Sequence, residues 1–425
     1  MYSLAQKRVF YLALATALGL LLFAGCGPRR PATRPNQSQP SPTAEQPPTP
    51  TLAPALVQSE PAAEPTQAVE PTSLPEPTAT TAAAPEAAAG EQSVQPLSDV
   101  LGVVALNTGA AVCNDGSPAK YYLRQGYNNK WLVFLEGGGA CFRDQDCSQR
   151  EREQPKLTSS DQWDPSVSLG GIFSINEERN PDFWNWNQVY VKYCSSDSWS
   201  GSHTDADGRQ FRGRDILEAV FTDVQQRNGN FGVGKGSDST LILAGCSAGG
   251  NGVLNNLDAV AGRFADNFDD IRGINDAGWA VDIRPSYAAN APSFYEMFSV
   301  GFGNWGGNVD ADCAAAGGDP AQCYFGSTVY PYITTPLFVQ IHQYDREQIT
   351  SFHSGTQQDA EDFAVHVRAS LVGVQAAFSP QAPNHCVTIN DKFWGDSGAE
   401  VDGYSMQEVL HNWLNGEEPI RLVAP

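Results

Sequence analysis

The sequence predicts an α/β fold, a mostly parallel sheet covered by helices, in a single domain with long loops. Three observations predict it. Several short segments are continuously apolar instead of alternating, as strands buried on both faces must be. Segments with apolar residues at helical spacing lie between them. One strand-like run, Leu241–Ala244, passes directly into a glycine-rich turn, "GCSAGG", which opens a further helical pattern.

Not all of the 425 residues belong to this fold. In residues 1–27, Lys7 and Arg8 precede an apolar run from Val9 to Phe23 that ends in small residues before Cys26. This is the pattern of a secretory signal segment, and the run is short for a membrane span. Its end, "FAGC", resembles a bacterial lipobox, whose cysteine becomes the lipidated first residue of the mature protein. A retained anchor and an ordinary cleaved signal are the other readings. Residues 28–92 are dominated by Pro, Thr, Ala, Glu, Gln and Ser. Such a stretch buries too little apolar surface to offset its ordering entropy, so it reads as a disordered tether spanning roughly several tens of Å. From Ser93 to the end, Trp, Phe, Tyr, Val, Ile and Gly become frequent. About 330 residues suffice for one large core.

The elements follow in order. "KWLVFLEGGGACF" reads as a strand and a glycine turn, and "NQVYVKYC" as a strand ending at Cys194. "FRGRDILEAVFTDVQQR" places Ile216, Leu217, Val220, Phe221 and Val224 at helical spacing. "STLILAGCS" is a strand, and "GNGVLNNLDAVAGRF" a helix with Val253, Leu254, Leu257 and Val260 on one side. "IRGINDAGW" and "TTPLFVQIHQYD" are strands, the second entered through Pro336. "DAEDFAVHVRASLVGVQ" and "SMQEVLHNWLNG" are helices, the last stopped by Gly416.

Nine cysteines are present, and eight remain if Cys26 carries lipid. An even count in an exported chain predicts disulfides. Cys141 with Cys147 and Cys313 with Cys323 are the local pairs, and the rest stay open among 105 connectivities for eight cysteines. No C-x-x-C pair occurs, so no metal site is expected. The net charge of −22, with no basic stripe, argues against nucleic acid as a partner.

The chemistry centres on Gly245-Cys246-Ser247-Ala248-Gly249, a G-x-S-x-G sequence at a strand-to-helix turn. Such an elbow lifts the serine hydroxyl above the sheet, at a helix N-terminus, and the N–H of the next residue, Ala248, faces a developing oxyanion. Cys246 points back toward the sheet and reads as buried or disulfide-bonded. A serine needs a base. His203 precedes the nucleophile in the chain. His342 lies in an apolar strand, His353 in a loop, His366 in a helix as a packing residue, and His411 in the last helix. His385, in "QAPNHCVTIN", sits on a loop before a short apolar segment, as a loop-borne base should. Asp345, at the end of "PLFVQIHQYD", is the candidate orienting acid; Asp276, in "GINDAGW", is its rival. Either also reads as a cap. Gly137, Gly138 and Gly139 in "LEGGGAC" offer backbone N–H groups for an oxyanion, in a turn like the HGGG of esterases with Glu136 in place of His.

"FLEGGGACF", "VKYCSSDSWSG", "FRGRDILEAV", "AGCSAGGNGVL", "INDAGW", "YDREQI" and "NHCV" occur in that order. Together, from about Cys113 to Trp413, they resemble the pectin acetylesterase and Notum family of serine hydrolases. The resemblance implies an α/β-hydrolase fold and carboxylester hydrolysis through an acyl-enzyme, without metal or cofactor. It implies a triad of Ser247, Asp345 and His385, and an oxyanion hole of Gly138, Gly139 and Ala248. In Notum an aromatic residue stands at the position of Gly139, and "GCSAGG" is closer to the plant pectin acetylesterase form. The expected substrate is an acetylated polysaccharide, which a tethered, exported enzyme would meet; the net charge of −22 argues against pectin unless the cleft is locally positive. Trp184, Trp186, Trp199 and Trp279 would stack on sugars or pack the core. Arg143, Lys192, Arg212 and Arg214 would make the cleft locally positive or lie solvated on the surface. A small or lipid acyl ester, a thioester, and a non-catalytic glycan-binding lipoprotein are the alternatives. The expected location is outside the cytoplasm, held to the membrane through Cys26 or secreted.

Overall fold

Strand runs that are apolar at every position require cover on both faces, and the fold supplies it. The computed structural model describes residues 96–283, 292–352, 356–395 and 398–425. The signal segment 1–27 with Cys26, the tether 28–92, the domain's first residues 93–95, and His353 lie outside the described residues. Among the described residues, ten strands form one sheet. They are β1 (Leu101–Ala105), β2 (Lys120–Arg124), β3 (Lys130–Leu135), β4 (Ser166–Val167), β5 (Asn187–Val191), β6 (Thr240–Cys246), β7 (Asp270–Asp276), β8 (Leu337–Gln340), β9 (Ala376–Ser379) and β10 (Arg421–Val423). Their spatial order is β10-β9-β8-β7-β6-β3-β5-β2-β1-β4. From β10 to β5 every pairing is parallel; β2, β1 and β4 add an antiparallel edge.

The period of two along each strand feeds two cores. Trp131, Val133 and Leu135 of β3 enter one, with Leu241 and Leu243 of β6. Leu132, Phe134, Ile242 and Ala244 enter the other. Helices α2 (Gly213–Arg227) and α3 (Ala248–Phe264) and the later α6 (Gln357–Ser370) cover the first, and α7 (Met406–Asn415) covers the second. Each fully buried large aliphatic or phenyl side chain contributes about 1.5–3 kcal/mol. The helical residues expected to face inward on α2 and α3 are buried, and Gly416 caps α7 in the left-handed conformation at φ 72°. No helix among the described residues is long and apolar enough to cross a membrane.

Several elements were not foreseen. β1 is largely exposed and β9 is "AAFS", so neither shows a long β-branched run. Helices α1 (Asp144–Glu153) and α4 (Phe294–Trp305) were missed as well. Helix α4 is apolar on nearly every side and hides its period. Its signal was the capping box, in which Ser293 Oγ accepts the Glu296 N–H and the Glu296 carboxylate accepts the Ser293 N–H. The strand expected to end at Cys194 stops at Val191, and His342 lies beyond the end of β8 rather than within it.

Four disulfides use all eight cysteines of the folded part. The two local pairs form as expected, Cys141–Cys147 and Cys313–Cys323. Cys113 pairs with Cys194, and Cys246 with Cys386.

Candidate active site

Helix α3 begins immediately after β6, which leaves one residue to reverse the chain. That residue is Ser247, held at φ 57° and ψ −122°, a conformation an L-residue adopts only when its surroundings impose it. Two glycines make the turn sterically feasible. A Cβ at Gly245 would lie 2.3 Å from the Gly249 carbonyl oxygen, and one at Gly249 would lie 2.0 Å from that of Leu135. The Ser247 N–H donates to the Asp276 carbonyl at 2.8 Å.

His385 arrives on the loop after β9. Its Nδ1 lies 2.6 Å from Asp345 Oδ2. Asp345, fully buried, sits just before helix α5 (Arg346–Phe352). Its other oxygen accepts the Gln348 N–H at 3.2 Å, so it fills both roles the sequence allowed: cap and imidazole partner. Burial pulls the His385 pKa down. The hydrogen bond and charge of Asp345, with smaller contributions from Asp276 and Glu347, outweigh that and leave it above the ordinary histidine value.

The rival acid does something else. Asp276 Oδ2 accepts both the N–H and the Oγ1 hydroxyl of Thr388, at 2.8 and 2.6 Å. Burial raises its pKa to about 6, against the lowering effect of those two bonds. His342 is buried, accepts the Asn384 N–H at 3.1 Å, and has its pKa depressed by that burial to about 4. His366, expected to pack, is exposed because its position on α6 faces solvent. His411 sits on Asp182 at 2.8 Å and His203 is exposed.

Two hollows meet at Ser247 and His385. The first, about 230 Å³, is bounded by Ala140, Phe142, Ala280, Phe294 and Phe298, with Ala248 at its base. The second, about 550 Å³, is bounded by the glycine turn, Arg150, Gln154 and Tyr190. Gly139 lines both, Gly138 the second. The turn is glycine by necessity, with φ at 140° for Gly138 and 69° for Gly139. Glu136 anchors it, accepting the Tyr193 N–H at 2.8 Å and pairing with Lys192. The N–H groups of Gly138 and Gly139 donate to no protein acceptor among the described residues. Ala248 begins α3, where the first N–H groups lack partners within the helix.

Of the two readings of Arg143, Lys192, Arg212 and Arg214, the cleft-lining one is not met, since none of them lines either hollow. Lys192 is taken by Glu136, Arg212 by Asp215 and Arg214 by Glu218, while Arg143 is exposed. Arg150 takes that place instead, and sequence reading missed it. It is 9% exposed, its Nε donates to Ser196 Oγ at 2.8 Å, and its Nη1 donates to Gln154 Oε1 at 3.0 Å. Its Nη2 has no partner among the described residues, and burial lowers its pKa. The available signal was its place three residues after Cys147, on the same face of α1. Of the four tryptophans, Trp186, Trp199 and Trp279 pack the core, and Trp184 packs edge-on against Tyr127. Cys246, His385 and Cys386 have ligand atoms within 4.8 Å of one another, but the two sulfurs are committed to each other as a disulfide.

A parallel sheet, a serine on a strained strand-to-helix elbow, and a histidine backed by a buried aspartate define the α/β-hydrolase class, in its serine-hydrolase layout. Residues 95–369 match the family model "Pectinacetylesterase". The chain is 34% identical to palmitoleoyl-protein carboxylesterase notum1a of Danio rerio over 334 residues, 72% of this chain and 64% of that protein. It is 33% identical to palmitoleoyl-protein carboxylesterase NOTUM of Homo sapiens over 345 residues, 76% of this chain and 67% of that protein. The solved structure of the Wnt deacylase Notum from Drosophila superposes with a TM-score of 0.69 at 32% identity, covering 76% of this chain and 96% of that one. The chain belongs to the pectinacetylesterase family, whose members are serine hydrolases acting on carboxylic esters. It thus spans a little under two thirds of the length of the Danio rerio relative.

Proposed function

We propose that this chain is an exported serine carboxylesterase that works through an acyl-enzyme. The observation that carries the reading is Ser247 on its strained elbow beside a His385 already seated on Asp345. Ser247 Oγ attacks the ester carbonyl carbon as His385 Nε2 takes its proton. Asp345 holds Nδ1–H and stabilises the imidazolium that forms. The oxyanion accepts from the N–H groups of Gly138, Gly139 and Ala248. The C–O bond to the alcohol breaks, and His385 gives its proton to the leaving oxygen. Water, deprotonated by His385, then cleaves the acyl-enzyme by the same route.

The more apolar hollow takes the acyl group and the larger, more polar one the alcohol. A space of about 230 Å³ walled by three phenyl rings exceeds an acetyl group and suits an acyl chain several carbons long. The "palmitoleoyl" in the relatives' names points the same way. Acetylated polysaccharide is the second reading, favoured by the larger polar hollow, which has room for a sugar. The test is hydrolysis of an ester series from acetyl to hexadecanoyl, and acetate release from acetylated pectin and xylan, each beside Ser247→Ala. Loss of all activity in the variant supports the mechanism, and retained activity refutes it. A maximum beyond acetyl supports the lipid-like acyl; a preference for the acetylated polymers supports the polysaccharide. Activity also falls on the acid side, because His385 must be neutral to act as base. The raised pKa places that limb above the ordinary histidine value, and Asp345→Asn moves it down.

The leader supports export, with Cys26 as the lipid attachment point and residues 28–92 as the tether to the domain of residues 93–425. Labelling with a fatty-acid analogue, lost in Cys26→Ala, tests the anchor.

A further inference from the structure

We propose that Asp276 is a positioning residue for the base: it ties the His385 turn to the nucleophile elbow. The proposal rests on the roles given above to Ser247 and His385. Asp276 is the last residue of β7 and pairs with Cys246 at the end of β6. Its carbonyl accepts the Ser247 N–H at 2.8 Å. Its carboxylate takes both donors of Thr388, three residues after His385. One residue therefore grips both loops, one with its main chain and the other with its side chain.

Other contacts leave this link little slack. The next N–H, that of Ala277, is held by the Gln340 carbonyl of β8 at 2.8 Å, so the end of β7 cannot drift. Cys386, next to His385, is bonded to Cys246, next to Ser247. The Thr388 carbonyl accepts the Ile172 N–H at 2.8 Å. The His385 turn is thus held at residues 386 and 388, through Cys246 beside Ser247 and through Asp276 bonded to Ser247. Asp345 fixes the ring, and Asp276 fixes the backbone that carries it.

The choice of a carboxylate at position 276 is informative. Asp276 is fully buried, has no cation within ion-pair distance among the described residues, and its Oδ1 has no partner there. Burying an unpaired carboxylate costs free energy, so stability alone favours a neutral group. Its charge acts on the groups facing it, His385 and Asp345; it favours the imidazolium that forms as Ser247 attacks and adds to the negative field of Asp345. Asp276 does not replace Asp345 as the imidazole's partner, because its Oδ2 is occupied by Thr388 while Asp345 holds Nδ1.

The experiment uses the full chain with three variants: Asp276→Asn, Thr388→Val and Thr388→Ser. Steady-state kinetics on a short nitrophenyl ester are measured across pH, with circular dichroism to check folding. Asp276→Asn is expected to lower kcat by about 10- to 100-fold at nearly constant KM, and to move the acid limb of kcat/KM to lower pH. Thr388→Val removes one tie, so kcat falls severalfold; without that bond Asp276 keeps its proton to higher pH, and the acid limb moves the same way as in Asp276→Asn but by less. Thr388→Ser restores both donors and kcat. If a folded Asp276→Asn keeps kcat and the limb, the proposal is overturned; should that variant not fold, an unchanged kcat in Thr388→Val overturns it. Retained activity in Ser247→Ala would instead refute the assignment of the nucleophile, a distinguishable failure.

Discussion

The two hollows that meet at Ser247 differ in nearly everything but their shared corner. One is walled by side chains from residues 140–142, 277–280 and helix α4, and its rings interlock: Phe298 lies 4.7 Å from Phe294, 4.7 Å from Tyr324 and 5.3 Å from Phe142. The other has a mixed wall, with the glycine turn, Arg150, Gln154 and Glu347 beside Tyr190, Cys386 and Ile389. An acyl chain asks only for apolar area, whereas an alcohol needs hydrogen-bonding partners or water. The contrast is the ground on which the proposed reading gives each half of an ester its own side. It also says which substitutions should alter acyl choice and which should alter rate without altering choice.

The largest expected effect comes from closing the apolar side. Ala280 is buried on that wall, and Ala280→Phe places a ring in the hollow. Turnover of an octanoyl ester is expected to fall about 100-fold in kcat/KM, while an acetyl ester changes by about twofold. Equal losses on both esters would break the comparison, because the hollow would then not be where the acyl chain goes.

A change on the polar side should be smaller and blind to chain length. Arg150 Nη1 lies 3.8 Å from where a Gly139 Cβ would be, so its charge sits under the proposed oxyanion donors. A buried cation there, with no ion pair among the described residues, favours negative charge on the carbonyl oxygen. Arg150→Met is expected to lower kcat/KM about tenfold for acetyl and octanoyl esters alike. Arg150→Lys keeps the charge but not the fork to Ser196 and Gln154, and should recover part of the loss. A ratio of the two esters that shifts with Arg150 would mean the two hollows are not independent.

These hollows were far less legible in the sequence than the elbow between them. Ser247 could be read because a strand, two glycines and a helix are adjacent in the chain, and the constraint is local. His385 could be read from its loop context. Asp345 and Asp276 could not be separated that way, since both end strands in similar surroundings, and only the placement of Thr388 against one and His385 against the other tells them apart. The wall of the apolar hollow joins segments more than 100 residues apart, and the phenylalanines of α4 look like any buried helix. Arg150 lies in a run of charges, "QRERE", where nothing but its spacing from Cys147 marks it. The aromatic difference from Notum at Gly139 pointed away from an apolar pocket, yet rings from Phe142, Phe294 and Phe298 supply one from other positions.

The smallest effect sharpens the comparison most, because it separates the hollow's shape from the stability of its wall. Phe298 touches five other rings and is 4% exposed, so it supports the aromatic cluster as well as facing the hollow. Phe298→Leu removes ring contacts from a packed cluster and should cost about 1–2 kcal/mol of stability, read as a lower urea midpoint at unchanged slope. It also widens the hollow slightly. The optimum acyl length is then expected to move up by about two carbons, with kcat/KM at the new optimum within about threefold of the original. Stability and chain preference should thus move while the acid limb of the pH profile stays, since that limb is set by burial and by the charges of Asp345, Asp276 and Glu347, none of which is altered. A shifted limb would mean that the aromatic wall and the base loop are one mechanical unit, and the division at Ser247 would have to be redrawn around them.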